Sequence, residues 1–375
     1  MRYYIIAGEA SGDMYGALLI KALKQKDSSA EFRFWGGDAM MAEAGRPVRH
    51  IRELAIMGFV EVVVHLRAVL GNIAFCRQDI MDYQPDVVIG VDYPGFNLRI
   101  ERWAKSHGMK TVHYISPNLW AWKKGRVKGM RRSLDRLCYV LPFEEAFFAE
   151  NAMPQAVYVG HPLLDRIGSG AVGEVLDLAN DRSIVALLPG SRRQELTNSL
   201  PLMVGLARRH PEYRFVVAGM GLIGEELYNR LIPGDSGIEV VYDKTYALLG
   251  TAFAAVVCSG TATLEAALFD VPQVVCYRAN PISIAIAKAI VSRRIRYISL
   301  VNLIADSPVV TELIQEDFNA RRLEDEFKGI TVDADNRERM KNEYADVRKL
   351  LGGGGASERT ADVVMELVTN CPDSR

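Results

Sequence analysis

Short runs of β-branched and aromatic residues alternate with longer segments of helical periodicity along this chain of 375 residues. That alternation is the pattern of a parallel sheet covered by helices on both faces, an α/β fold. In the first half the strand candidates are YYIIAG, EFRFWGG, DVVIGVD, KTVHYIS, RLCYVL and AVYVG; in the second they are SIVALLPG, RFVVAG, IEVVYD, AAVVCSG, QVVCYR and RYISL. Each set is enough for one open sheet, and single cores tend to split above roughly 250 residues. Between the sets, Leu163 to Ser183 breaks the strand rhythm around a Gly-Ser-Gly, so a hinge is expected there. Two Rossmann-like domains facing a cleft result, spanning 1–165 and 183–350. Glycines 352–355 then make a flexible joint before a last amphipathic helix, so that 351–375 forms a tail free to pack away from its parent domain.

Composition narrows the function classes. With 49% hydrophobic and 24% charged residues and a formal net charge of -1, the chain has the balance of a soluble globular protein, and nothing demands a nucleic-acid partner. The apolar run in MRYYIIAGEASGD is too short for a signal peptide, and no segment approaches the roughly 20 apolar residues that span a bilayer. A cytoplasmic location is expected. The five cysteines, at 76, 138, 258, 276 and 371, form no C-x-x-C pair; those at 138, 258 and 276 lie in strand-like runs and read as buried thiols.

In open α/β sheets ligands bind beyond the carboxyl ends of the strands. The junction VVCSGTATLEAAL runs a strand through the small residues Ser259, Gly260, Thr261 and Ala262 into a helix carrying Glu265. A helix start bare of large side chains exposes unpaired N–H groups to an anion such as a diphosphate, and Glu265 is placed to accept hydrogen bonds from a ribose diol. A plain helix capped by Thr261 is the alternative. At ALLPGSRRQEL, Gly190 and Ser191 offer backbone donors and Arg192 a guanidinium fork suited to phosphate, with Arg193 either a partner or a surface charge.

At IIAGEASGDMYG, Gly8, Ser11 and Gly12 lack the spacing of a dinucleotide fingerprint or a P-loop and read as a backbone that a substrate can approach, while Asp13 is open to reading as a helix-start charge. In VVIGVDYPGFN, Asp92 ends an apolar strand; such a carboxylate needs either a partner or a ligand-facing position, where it would be a general base. HYISPNLWAWKKGRVKGMRR gathers Trp120, Trp122 and many cations, either an ordinary basic helix face or a shelf for a phosphorylated or membrane-borne substrate.

Two motifs compete with this picture. Gly219-x-Gly221-x-x-Gly224, with Asp243 about 20 residues on, mimics a dinucleotide site but falls on the second strand of its domain rather than the first. Asp333 and Asp335 mimic a metal-binding D-x-D, yet they precede a helical run where acidic caps belong. No metal and no cofactor are expected.

The strings AGEASGD, SPNLWAW, GHPL, LPGSR, SGTATLE, YR at 277–278 and SLVNLI occur in the order seen in lipid-A-disaccharide synthases, which this chain resembles along essentially its whole length. The resemblance implies a GT-B glycosyltransferase that joins UDP-2,3-diacylglucosamine to 2,3-diacylglucosamine 1-phosphate and releases UDP by an inverting displacement. It further implies Asp92 and Arg192 as catalytic residues. On the UDP side it points to Gly190, Ser191, Arg192, Ser259, Gly260, Thr261, Ala262, Glu265 and Arg278. On the substrate side it points to Ser11, Gly12, Asn97, Ser116, Trp120, Trp122, His161 and Asn302. Where the family often reads D-x-P-D-F-N this chain has Gly95, and Val301 replaces the proline before Asn302.

Acylated sugars imply peripheral association with the inner face of the cytoplasmic membrane, for which the apolar stretches 54–75 and 281–296 are candidates. A homodimer is a further expected assembly. Three other readings stay open: another GT-B enzyme using UDP-N-acetylglucosamine, such as a 2-epimerase; an NAD-dependent oxidoreductase built on Gly219–Gly224; and a non-catalytic UDP-sugar binding protein.

Overall fold

A computed structural model describes residues 1–54, 66–117, 125–168, 182–278 and 296–369. They form two compact units, the first made of 1–166 with 353–375 and the second of 167–352. In the first unit, strands β1 (Arg2–Ala7), β2 (Glu31–Gly36), β3 (Arg49–His50), β4 (Val87–Val91), β5 (Lys110–Tyr114), β6 (Arg136–Tyr139) and β7 (Ala156–Tyr158) make a parallel sheet of order β3-β2-β1-β4-β5-β6-β7. Strand β4 is buried along its whole length because helices cover both faces, which is why it reads as an unbroken apolar run. The edge strand β3 has only two residues, too short for a period-2 pattern to register in the sequence.

Helix Ala10–Lys26 follows β1 and lies close against it. Gly12 is buried there, and a Cβ on it would sit in ordinary contact, 3.5 Å from the Ala7 Cβ and the Val91 carbonyl. Asp13 is more than a helix-start charge. Its carboxylate accepts from the N–H groups of Gly37 (2.6 Å), Ala39 (3.0 Å) and Met40 (3.1 Å), capping helix Asp38–Ala44 from a different element. Farther into the same core, the Trp35 indole donates to the Tyr4 hydroxyl, which donates to Asp79, and Arg33 closes the network with a fork on that carboxylate.

The last helix, Ala356–Thr369, returns to this first unit. Asp165 accepts from the N–H groups of Gly355 (2.5 Å), Ala356 (3.1 Å) and Ser357 (2.8 Å), and Arg359 donates to the Val159 carbonyl at 2.8 Å. A carboxylate at the positive end of the helix thus fixes where it docks.

The second unit holds β8 (Ile184–Leu188), β9 (Arg214–Gly219), β10 (Glu239–Tyr242), β11 (Ala254–Cys258), β12 (Gln273–Tyr277) and β13 (Thr311–Ile314), all parallel in the order β10-β9-β8-β11-β12-β13. The RYISL segment expected as its sixth strand is not one. Ser299 instead caps helix Leu300–Ala305, and Glu312 on β13 accepts from the N–H groups of Ile298 (2.9 Å) and Ser299 (2.8 Å), holding the segment as a helix entry. The strand that completes the sheet is TELI, four residues long and opening on two polar ones, which conceals it.

Candidate active site

Both sheets reverse strand order at one place, between β1 and β4 in the first unit and between β8 and β11 in the second. Loops leaving these strands open a crevice at such a switch point, the preferred ligand position of the fold. Asp92 follows β4, and Ser259 and Gly260 follow β11, so the candidate base and the candidate diphosphate seat occupy equivalent positions in their own sheets.

In the second unit, Gly260 is the N-cap of helix Thr261–Leu268 and no side chain caps it. The reading of Thr261 as N-cap is therefore replaced by an open helix start. The Ser259 hydroxyl donates to the Ile298 carbonyl at 3.0 Å, and Glu265 accepts from the Tyr246 hydroxyl at 2.9 Å. On the β8 side the Glu195 carboxylate folds back and accepts from the N–H groups of Ser191 (3.0 Å) and Arg192 (3.3 Å). The Ser191 backbone donor expected for phosphate is thus engaged within the chain. Gly190 has φ +111 and a Cβ there would collide with Glu195, so only glycine fits this fold-back.

The Arg192 side chain remains 61% exposed, with Glu195 at 3.8 Å. Arg193 is an exposed side chain that donates to the Ile223 carbonyl at 2.9 Å. Asn198 reaches the Arg278 carbonyl at 3.1 Å, tying the loop after β12 to the helix after β8. Arg278 itself donates to the carbonyls of Gln315 and Phe318. Burial pushes the Cys258 thiol up to about 12, with Glu195 adding to the effect and Arg192 opposing it, so the ends of β8 and β11 share one electrostatic environment.

Asn302 is buried; its amide donates to Val310 O (2.8 Å) and Glu312 (3.0 Å) and accepts from Val310 N–H (2.9 Å). It braces the segment around Ser259's partner Ile298. Val301 lies in the first turn of its helix, where the family's proline also fits.

In the first unit, Asp92 and Tyr93 both have left-handed backbones, φ +48 and +49. Such strain persists only where the surroundings enforce it. Here the Asp92 N–H donates to Tyr114 O at 2.8 Å, and the Asn97 amide donates to the carbonyls of Asp92 (2.7 Å) and Ile6 (3.1 Å). Asn97 is fully buried and staples the ends of β1 and β4 together. A Cβ on Gly8 would strike the Tyr93 ring, so Gly8 lets the two switch-point loops close up. Nothing lies within 4 Å of a Cβ on Gly95, leaving space for the family's second acid.

Ser11 is half-buried in the first turn of its helix. Ser116 is buried and donates to Pro117 O at 3.0 Å, beside the equally buried Glu144. His161 is buried, accepts from Leu163 N–H at 3.2 Å, and is held neutral because burial pushes its imidazole down to about 4. Trp120 and Trp122 lie outside the described residues.

The dinucleotide-like motif resolves structurally. Asp243 accepts from the Gly221 N–H at 3.2 Å, and a Cβ on Gly219 would press Tyr242, so the glycines serve a tight turn on a strand away from the switch point. Asp333 caps helix Ala334–Leu351 through the Asn336 N–H. Among the described residues, no group of three or more His, Cys, Asp or Glu side chains gathers to hold a metal.

The profile of the lipid-A-disaccharide synthetase family matches residues 3–366. The chain belongs to that family. It is 35% identical over 376 residues to the lipid-A-disaccharide synthase of Geobacter sulfurreducens, covering 98% of this chain and 97% of that one. It is 37% identical over 381 residues to the enzyme of the same name from Chromohalobacter salexigens, covering 99% and 98%. Among solved structures the family member is similar to a Staphylococcus aureus MnaA–UDP co-structure, with TM-score 0.68, 14% identity and coverage of 100% and 99%. It is also similar to CalG4, the calicheamicin glycosyltransferase, with TM-score 0.60, 16% identity and full coverage of both chains. These likenesses carry the fold: a two-domain α/β architecture shared by GT-B glycosyltransferases and epimerases.

Glu195, Glu312, Glu144 and the pair Glu101–His113 leave little mark in the local sequence pattern, since their roles come from contacts made in the fold. Gly90, a glycine inside the apolar β4, was the available signal for the last of these, since strand glycines mark close approach.

Proposed function

We propose that the chain transfers the sugar of UDP-2,3-diacylglucosamine to a hydroxyl of 2,3-diacylglucosamine 1-phosphate, giving the β-1,6-linked disaccharide 1-phosphate and UDP. Family membership makes the protein a hexosyltransferase of lipid A disaccharide synthesis. The observation that carries the assignment is that each unit, taken by itself, has a fitted switch point: a carboxylate on a left-handed backbone after β4 in the first and an uncapped helix start after β11 in the second. In the proposed step the acceptor oxygen bonds to the donor's anomeric carbon, the carbon–oxygen bond to the diphosphate breaks, and Asp92 takes the hydroxyl proton. The helix start at Thr261 and the Arg192 guanidinium stabilise the departing UDP diphosphate, and Glu265 holds the ribose.

Incubating the enzyme with both substrates, followed by mass spectrometry, should give the tetraacyl disaccharide phosphate with UDP in equal amount. UDP-N-acetylglucosamine alone should be returned unchanged; its 2-epimer as product would instead support the epimerase reading. Glu265→Ala should raise the donor KM about 10- to 100-fold, the cost of losing hydrogen bonds to a charged group, while the acceptor KM stays put. Because Tyr246 also holds this carboxylate, Tyr246→Phe should raise the donor KM by a smaller factor.

The acyl chains place the enzyme at a membrane surface in this reading. No helix among the described residues is long and apolar enough to cross a bilayer. Within stretch 54–75, much of which lies outside the described residues, helix Leu66–Tyr83 exposes Leu70 by 54% and Phe75 by 41%, a surface suited to interfacial docking. In flotation with anionic vesicles, the Phe59→Ser, Val63→Ser, Leu70→Ser variant should remain in the protein fraction while the parent floats; equal flotation would remove this surface from consideration.

A further inference from the structure

We infer that the buried His113–Glu101 pair is a positioning device for Asp92, holding an oriented imidazole against the end of β4 that carries the base. The inference rests on Asp92 being the base.

The pair is tied to the Asp92 segment through β4 and the helix that follows it. His113 sits on β5 directly opposite Gly90 of β4, two residues before Asp92. Glu101 lies on helix Pro94–Ser106, one turn beyond Asn97, whose amide holds the Asp92 carbonyl. The His113 Nδ1 and Glu101 Oε1 are 2.7 Å apart, and neither side chain is exposed at all. A Cβ on Gly90 would collide with Glu101 Oε1 and come within 2.9 Å of the Asn97 Cβ, so this strand gives up its side chain to admit the carboxylate. Burying two ionisable groups is costly, and stability alone is served as well by apolar residues of the same volume. A role in the chemistry above them accounts for their presence.

The charges acting on His113 are Glu101, from the helix, and Asp92, after the end of β4; the Ile115 backbone just past its own strand also contributes. Burial favours the neutral imidazole, but these partners together raise its proton affinity above the ordinary value. Ile115 has φ +72, an uncommon conformation for a β-branched residue, so the chain is constrained on this side of the pair as well. Interaction between His113 and Asp92 is reciprocal: what Asp92 does to the imidazolium, the imidazolium does to Asp92. Glu101 raises the proton affinity of His113, and a protonated His113 in turn favours the charged form of a carboxylate beside it. When Asp92 accepts the hydroxyl proton that attraction lapses, and the acid returns its proton to solvent after product leaves.

The test uses three variants of the full chain: Glu101→Gln, His113→Gln and the double variant, whose two amides can keep a hydrogen bond without charge. The acid limb of kcat/KM against pH should move up by about one unit in all three, with UDP affinity unchanged. If the double variant restores the parent limb, the pair is merely structural and the inference fails. A second measurement leaves the pair intact: in Asp92→Asn, the His113 imidazole followed by NMR should titrate at lower pH than in the parent. An unmoved His113 titration would overturn the inference even if the Gln variants did not fold. The base reading is judged separately, because it falls if Asp92→Asn retains turnover, whatever the pair does.

Discussion

Replacing Asp92 by Asn should lower kcat about 10²- to 10⁴-fold, the range over which a positioned general base contributes, while UDP binding stays within twofold of the parent. The substitution is unusually clean at this position. Asp92 has φ +48, and asparagine tolerates that left-handed conformation as well as aspartate does. Both contacts that hold the backbone use main-chain atoms of Asp92, its N–H to Tyr114 and its carbonyl to Asn97, so they survive the change. What is lost is the carboxylate charge, which His113 also feels, and with it the ability to accept a proton. Single-turnover product formation at saturating donor and acceptor, with isothermal titration of UDP as control, separates the outcomes. Near-normal turnover in a folded variant would remove Asp92 from the role of base.

The second large effect is on stability. Glu144 is buried, its carboxylate accepts from Leu141 N–H at 3.2 Å, and burial pushes its pKa up to about 8. In the folded protein this side chain keeps its proton until about pH 8, whereas in the unfolded chain it releases it near the ordinary glutamate value of 4.5. Between these values the folded state binds more protons. Stability from this group is therefore complete below pH 4.5 and falls as pH rises toward 8. At pH 7 the cost amounts to about 3 kcal/mol. Glu144→Gln keeps the shape and removes the titration, so urea unfolding should find the variant about 2–3 kcal/mol more stable at pH 7, with the gap closing toward pH 4.5. A gap independent of pH would mean that the carboxylate is ionised in place. His161 acts in the opposite sense: its depressed pKa of about 4 costs stability as pH falls below 6.5, so parent and variant must be compared at each pH.

Much of this molecule is legible in its sequence for one physical reason. Strands covered on both faces, such as VVIGV and AAVVC, are nearly pure apolar runs, and the junctions that follow them hold small residues or a lone carboxylate. What was not legible depends on contacts between distant residues. RYISL looks like a strand by composition, and TELI does not; Glu312 reverses the assignment by binding the backbone of the first from within the second. Ser191 offers a donor on paper, but Glu195, one turn on, already uses it. Asp13 looks like a charge at its own helix start yet caps another helix. Carboxylates can take backbone N–H groups from any element that folds near them, and local pattern carries no trace of which.

The return of helix Ala356–Thr369 to the first unit has a consequence for how the protein is made. The segment 1–166 emerges from the ribosome long before the helix that completes it, with all of 167–352 between them. At typical bacterial elongation rates that interval is about ten to forty seconds. Throughout it, the face of the first sheet that awaits this helix, including Tyr3, whose hydroxyl lies 3.3 Å from the Met365 sulfur, stands uncovered on a nascent chain. Chaperone engagement and susceptibility to nascent-chain aggregation should therefore concentrate on the half synthesised first.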